Sequence, residues 1–209
     1  MAARYPAPAS PLANVNSILL ADSDAPLLQT FLDQNPAYFI TVQGTPAESD
    51  EAEREITDLP PTGYPYDEKY VIGYTNQSAN QSANQSGELI AVANMITDLF
   101  APTVWHLATF YLATDRHGTG QAGILYCSLE QWAIAHGARW MRLGVVVGNT
   151  RAVRFWSRCG FQPMRVRSAV CSAVCTGQVE RDILVMCKSL CGQELGDYLA
   201  LVAHDRDTT

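Results

Sequence analysis

A glycine-rich turn, His117-Gly118-Thr119-Gly120-Gln121-Ala122-Gly123, joins a strand-like run, Val104 to Leu112, to a helix-like run, Gln121 to His136. A helix leaves its first N–H groups without intrahelical partners, and its dipole favours negative charge in front of them. Glycines at that point let a ligand reach the backbone without meeting a Cβ. The turn therefore predicts a strand–turn–helix unit in an α/β fold, with an anion site of the kind that holds phosphate.

Composition narrows the partner. The chain carries 14 Lys and Arg against 21 Asp and Glu, a net charge of −7. That balance argues against a nucleic-acid groove. Its 209 residues suit one domain with a real core. No apolar run approaches the roughly 20 residues that span a bilayer. The Ala- and Pro-rich start, Met1 to Pro11, lacks the apolar centre of a signal peptide. The expectation is a cytoplasmic protein with no membrane and no nucleic-acid partner. Cys127, Cys159, Cys171, Cys175, Cys187 and Cys191 then read as free thiols. The last four form two C-x3-C pairs, but zinc knuckles use C-x2-C, so no metal is expected. Cys127 reads as a core residue of its helix.

Along the chain, Val15 to Leu20 reads as a first strand, followed by helices over Ala25 to Gln34 and Asp50 to Leu59. Strands follow over Tyr70 to Tyr74, Glu88 to Thr97 and Val104 to Leu112. The helix after the glycine turn carries Leu125, Leu129, Trp132 and Ala133 on one face and ends at Gly137. Trp140 to Val147 is a near-continuous apolar run, suited to a strand buried on both sides. A short helix over Thr150 to Cys159 and an antiparallel pair, Phe161 to Ala173 and Arg181 to Leu190, complete the order. The fold class is thus α/β: a mixed, mostly antiparallel central sheet of about seven strands flanked by helices. Residues 1–11 read as a flexible N-terminal segment, 12–190 as the domain and 191–209 as a tail with a weak helical pattern. Residues 76–87, an Asn-Gln-Ser repeat, read as a mobile loop.

The glycine turn has two frames. Gly118-x-Gly120-x-x-Gly123 matches a dinucleotide fingerprint, but that unit needs an acidic residue about 20 positions later. Ala138 to Leu143 offers none. Shifted by one residue, His117 to Ala122 resembles the Q/R-x-x-G-x-G/A signature of the GCN5-related N-acetyltransferase (GNAT) superfamily, with His in the first place. Asn149 to Phe161 resembles the family's second signature: an Asn, a short helix with an aromatic residue, and a closing Gly-Phe. The two blocks stand 26 residues apart, Gly123 to Asn149, with an apolar strand between. The resemblance covers Val15 to Leu190.

That resemblance implies an acetyl-CoA-dependent N-acetyltransferase, with acetyl-CoA as co-substrate and direct attack by a primary amine in a ternary complex. The backbone of His117, Gly118, Thr119, Gly120, Gln121 and Ala122 would hold the pyrophosphate. Leu112, with Phe110 nearby, would pair with the pantetheine arm. An N–H there can polarise the thioester carbonyl. Asn149 matches a residue that contacts the arm, and Trp156 stands beside it where many members carry a Tyr that serves as general acid. Tyr111, Ser157 or water would have to replace that acid. His106, eleven positions before His117, matches a base of the histone-acetylating branch, and an imidazole of ordinary pKa, about 6.5, suits the task. A strand histidine without a role is the alternative. The acceptor, a small-molecule or peptide amine, would sit against the first two helices, the loop from Pro60 to Lys69 and the final hairpin. Phe39, Tyr64, Tyr66 and Trp105 are candidate linings, with Asp67 and Glu68 as attractors for an ammonium. A homodimer stays open. The alternative function is a catalytically inactive CoA-binding or regulatory protein of the same fold.

Overall fold

The computed structural model describes residues 3–76, 87–173 and 177–206; residues 77–86 of the Asn-Gln-Ser repeat and Cys175 lie outside the described residues, as does the side chain of Cys171. In chain order the elements are β1 (Val15–Leu19), α1 (Ala25–Gln34), α2 (Ala37–Val42), α3 (Glu51–Thr57), β2 (Lys69–Asn76), β3 (Leu89–Ile96) and β4 (Val104–Leu112). Then follow α4 (Gln121–Ala135), β5 (Trp140–Val146), α5 (Thr150–Arg158), β6 (Gln162–Ala173), β7 (Gly177–Ser189) and α6 (Leu195–Leu201).

The seven strands form one sheet in the order β1-β2-β3-β4-β5-β7-β6. β4 and β5 run parallel and every other neighbouring pair is antiparallel. The mixed, mostly antiparallel sheet expected from the periodicities is therefore the fold observed. Among the described α-helices and strands, only α2 escapes the sequence reading. Its six residues, Ala-Tyr-Phe-Ile-Thr-Val, favour strands by composition, yet Pro36 suits a helix start and burial of Phe39 holds the turn in place.

Helices cover both faces of the sheet. On one, Leu125, Leu129, Trp132 and Ala133 of α4 are buried as their spacing predicts. Cys127 falls off that stripe and is exposed, which corrects its reading as a core residue. The segment before β1 packs here too. Trp132 Nε1 donates to the Pro6 carbonyl at 2.9 Å, and the Tyr5 ring stacks 6.2 Å from Trp105. On the other face, Leu28, Phe31 and Leu32 of α1, Phe39 of α2 and Ala52 of α3 pack on Val71, Val92 and Tyr111.

The C-terminal segment adds a part that the periodicities did not reveal. A 3-10 turn after α6, Ala203–Asp205, carries Asp205 under β5. Arg142, the only charged side chain of β5, donates from Nε and Nη2 to its carboxylate at 2.6 and 2.9 Å. Tyr198 of α6 donates its hydroxyl to the same group. Burial alone would raise the Asp205 pKa, but the bonds and charge of Arg142, with Tyr198 and Arg167, hold it below the ordinary carboxylate range. Removing one partner of a buried pair costs about 3–5 kcal/mol, because the other charge is left uncompensated. Asp205→Asn should lose about that much in urea unfolding at pH 7. A depressed carboxylate contributes fully above its unfolded pKa, about 3.9, and loses that contribution as pH falls through its lower folded value. The gap between parent and variant should therefore close below about pH 4.

Candidate active site

The sheet opens at its centre. β4 and β5 pair only from Val104↔Trp140 to Leu107↔Leu143. Beyond that point β4 stays with β3 as far as Ala91↔Leu112, while β5 stays with β7 as far as Val146↔Ile183. A bulge marks the parting. Asn94 pairs with Thr109 and Met95 with Leu107, so Ala108 has no partner on β3. A bulge bends its strand and increases its twist, which carries β4 away from β5.

Backbone polarity in the gap follows from the ladder. Ala113 N–H donates to the Ile90 carbonyl at 2.8 Å. Antiparallel residues alternate, so Leu112 turns its own N–H and C=O the other way, toward the gap. His117 Nε2 donates to that Leu112 carbonyl at 2.9 Å. The His at the first position of the turn thus ties it to the end of β4 and leaves the Leu112 N–H facing the gap.

Gly118 and Gly120 adopt φ of +80° and +84°, where side chains are strained, and a Cβ on either would stand in open space. Thr119 Oγ donates to the Arg116 carbonyl at 2.7 Å, and Arg116 Nη1 donates to Gln121 Oε1 at 3.2 Å. Among the described residues, the N–H groups of Gly118, Thr119, Gly120 and Ala122 have no hydrogen-bond partner. They gather where the dipole of the 15-residue α4 begins. Such an arrangement can hold an anion, and it stands at the same end of the sheet as the gap.

The α5 side of the gap is aromatic. Phe110 lies 5.7 Å from Trp156 and 6.4 Å from Phe155 between ring centroids. Trp156 is buried, edge-on to Tyr126. Asn149 caps α5, its Oδ1 accepting from Ala152 N–H at 3.1 Å. The glycine turn, Leu112, Phe110, Asn149 and Trp156 are thus grouped around the open end.

His106 and Tyr111 lie on the opposite face, with α1, α2 and α6. Tyr111 is buried against Phe31, Tyr38 and Phe39, and burial pushes its phenol up to about 12, opposed by the Tyr38 backbone. His106 sits within the paired stretch of β4. Arg142 Nη1 donates to its Nδ1 at 3.3 Å. Burial, with the Arg142 charge, pushes the imidazole down to about 3. Among the acceptor linings read from sequence, Trp105 faces α4 instead. Asp67 and Glu68 are both held by Arg4, Asp67 at 2.6 Å. Tyr64 packs against Phe100 and His204.

The profile of the Acetyltransferase (GNAT) family matches residues 30–161. The chain belongs to that family. Its fold is similar to that of the ribosomal-protein-S18-alanine N-acetyltransferase from Escherichia coli, with 15% identity, TM-score 0.56, and 87% of this chain and 97% of that chain covered. The spermidine N-acetyltransferase from Vibrio cholerae, solved with CoA and spermine, gives 18%, 0.57, 86% and 97%. A GCN5-related N-acetyltransferase from Kribbella flavida gives 22%, 0.55, 84% and 98%. No curated protein matches the sequence. In this GNAT chain the sequence reading missed Arg142, Asn94 and Glu55. Arg142 and Asn94 did carry a signal, a single polar residue inside an apolar strand. Glu55 carried none, because Glu51, Glu53 and Glu55 look alike in a polar helix.

A histidine held at a low pKa stays neutral across the physiological range. The carbon-bound proton signals of the His106 ring should not move between pH 8 and pH 5 in NMR. A midpoint near the ordinary value, about 6.5, would contradict the buried environment.

Proposed function

We propose that the chain is an acetyl-CoA-dependent N-acetyltransferase that moves an acetyl group to a primary amine by direct attack in a ternary complex. The observation that carries the reading is the coincidence of two features: the β4–β5 gap and the free N–H groups of the glycine turn. A pyrophosphate at the turn would meet the dipole of α4 and the N–H groups of Gly118, Thr119, Gly120 and Ala122. An extended arm running from there into the gap would meet the Leu112 N–H, with Phe110 and Trp156 as its apolar wall. α1, α2 and α3 cover the face opposite α4, so the acceptor would approach the gap from that side.

The residues read as acid and base fit less directly. At neutral pH a phenol pushed up to about 12 keeps its proton, and an imidazole pushed down to about 3 holds none. Tyr111 can donate a hydrogen bond without ionising, and we assign it that role toward the leaving group. His106 is a weak base, and we assign it to orienting Arg142 rather than to proton removal.

Two measurements test the proposal. Calorimetry should show acetyl-CoA binding, and a thiol-release assay over a panel of primary amines should show turnover. Gly120→Ala introduces a side chain at a left-handed backbone position, in the open space in front of α4. It should weaken acetyl-CoA binding about tenfold, equivalent to about 1.4 kcal/mol. Binding without turnover on every amine would favour the inactive CoA-binding alternative. Absence of binding would refute both.

A further inference from the structure

Asn94 is the one polar side chain of β3, a strand buried along its whole length. It is only 6% exposed. Its Nδ2 donates to Glu55 Oε1 of α3 at 2.8 Å. Among the described residues, its Oδ1 has no hydrogen-bond partner. A buried acceptor left unbonded costs free energy, so it marks a place where a donor belongs. Asn94 and Glu55 line a cavity of about 340 Å³ between the end of α2, α3 and the start of β2. Gln43, which also lines that cavity, has a second acceptor, Oε1, unbonded among the described residues.

Lys69 and Arg54, the cations that line this cavity, direct their hydrogen-bonded nitrogens away from the Glu55 carboxylate, while Arg54 Nε has no partner among the described residues. Lys69 Nζ donates to the backbone carbonyls of Glu55, Ile56 and Asp58, at 2.7, 3.2 and 2.5 Å, at the C-terminal end of α3. Arg54 Nη2 is turned onto Glu51 and Glu48, at 2.7 and 3.3 Å. Among the described residues, no cation forms an ion pair with the Glu55 carboxylate. Its hydrogen-bonding neighbours are the neutral side chains of Asn94 and Thr109. Burial pushes its pKa above the ordinary range, opposed by Asn94, Thr109 and the charge of Lys69, while Asp58 adds to the rise. Thr109 stands one residue past Ala108, where β4 leaves β5. Glu55 therefore reaches the mouth of the gap from the acceptor side.

We propose that Glu55 binds the primary ammonium group of the acceptor, with Asn94 Oδ1 as a second acceptor, and takes its first proton. The inference rests on the acetyl-transfer reading for the second half only. The apolar side chains of the site, exposed Leu59, half-buried Val42 and buried Ile96, suit an aliphatic chain behind the ammonium. One N–H proton passes to the Glu55 carboxylate. The freed nitrogen pair forms a bond to the thioester carbon, and the C–S bond breaks with its electrons on sulfur. The second nitrogen proton ends on that sulfur as the CoA thiol, and the proton on Glu55 returns to solvent.

Glu55→Gln keeps the shape and the bond from Asn94 but removes the charge. Calorimetry with n-butylamine, n-butanol and Nα-acetyl-lysine amide, without acetyl-CoA, reads the site directly. The unmodified protein should bind at least one of the two amines and not the alcohol, and the better-bound amine distinguishes a free alkylamine from a lysyl side chain. Binding should weaken as pH falls through the raised pKa of Glu55, a measurement that needs no variant. Glu55→Gln should weaken amine binding at least tenfold, melt no lower than the parent, leave acetyl-CoA affinity within twofold and cut kcat/KM for the amine at least a hundredfold. Equal binding of amine and alcohol, or amine affinity within twofold in the variant, would overturn the ammonium site. An unchanged kcat/KM would overturn the proton transfer. Loss of acetyl-CoA binding by the unmodified protein would sink the acetyl-transfer reading and the proton step with it, while the amine titrations still decide the ammonium site.

Discussion

Parallel pairing between β4 and β5 lasts four residues, and the arrangement around it depends on where it stops. Two strands that part in the middle of a sheet leave backbone N–H and C=O groups without ladder partners. Such groups are costly unless something satisfies them. The Ala108 bulge starts the parting, and the antiparallel partners β3 and β7 draw the two halves apart. His117 then satisfies one exposed carbonyl, that of Leu112. The GNAT signature has Gln or Arg at this place. Here an imidazole braces the turn against the strand, and Arg116 stands next to it, bonded to Gln121.

A split sheet needs support below the split. The buried Arg142–Asp205 pair provides it, tying the paired stretch of β5 to the C-terminal segment. His106 accepts from the same guanidinium, and Tyr198 donates to the same carboxylate. A network of this kind holds its members in one geometry when each has its partners. The low imidazole pKa of His106 follows from its loss of solvent and from the Arg142 charge beside it. The residue that resembled a base is therefore bound into the frame.

Glu55 presents the opposite case. Its side chain is half-buried on the cavity wall, its carboxylate has neutral hydrogen-bonding neighbours among the described residues, and the unbonded oxygen of Asn94 lies beside it. Folding alone does not favour such a group, since a buried charge is ordinarily paired. Sites that give up stability in this way are commonly the ones that act on something else. In the proposed reading, its place on α3, on the face of the sheet opposite α4, sets the acceptor side against the cofactor side with the gap between them.

The sequence by itself determined the strand and helix order apart from α2, the seven-stranded mixed sheet and the glycine turn with unbonded N–H groups in front of α4. Those properties are local. They follow from period-2 and period-3.6 burial, from glycine at positive φ, and from the unbonded N–H groups of a helix start. The run from Val104 to Leu112 was legible residue for residue, whereas α2 was not, because a segment with five strand-favouring residues out of six forms a helix only when Phe39 packs on a distant core. The tertiary structure alone decided which polar residues meet. Arg142 and Asp205 are 63 positions apart and Asn94 and Glu55 are 39 apart. No periodicity encodes such a pairing, because the electrostatics of a buried charge depend on what lies across the sheet rather than along the chain.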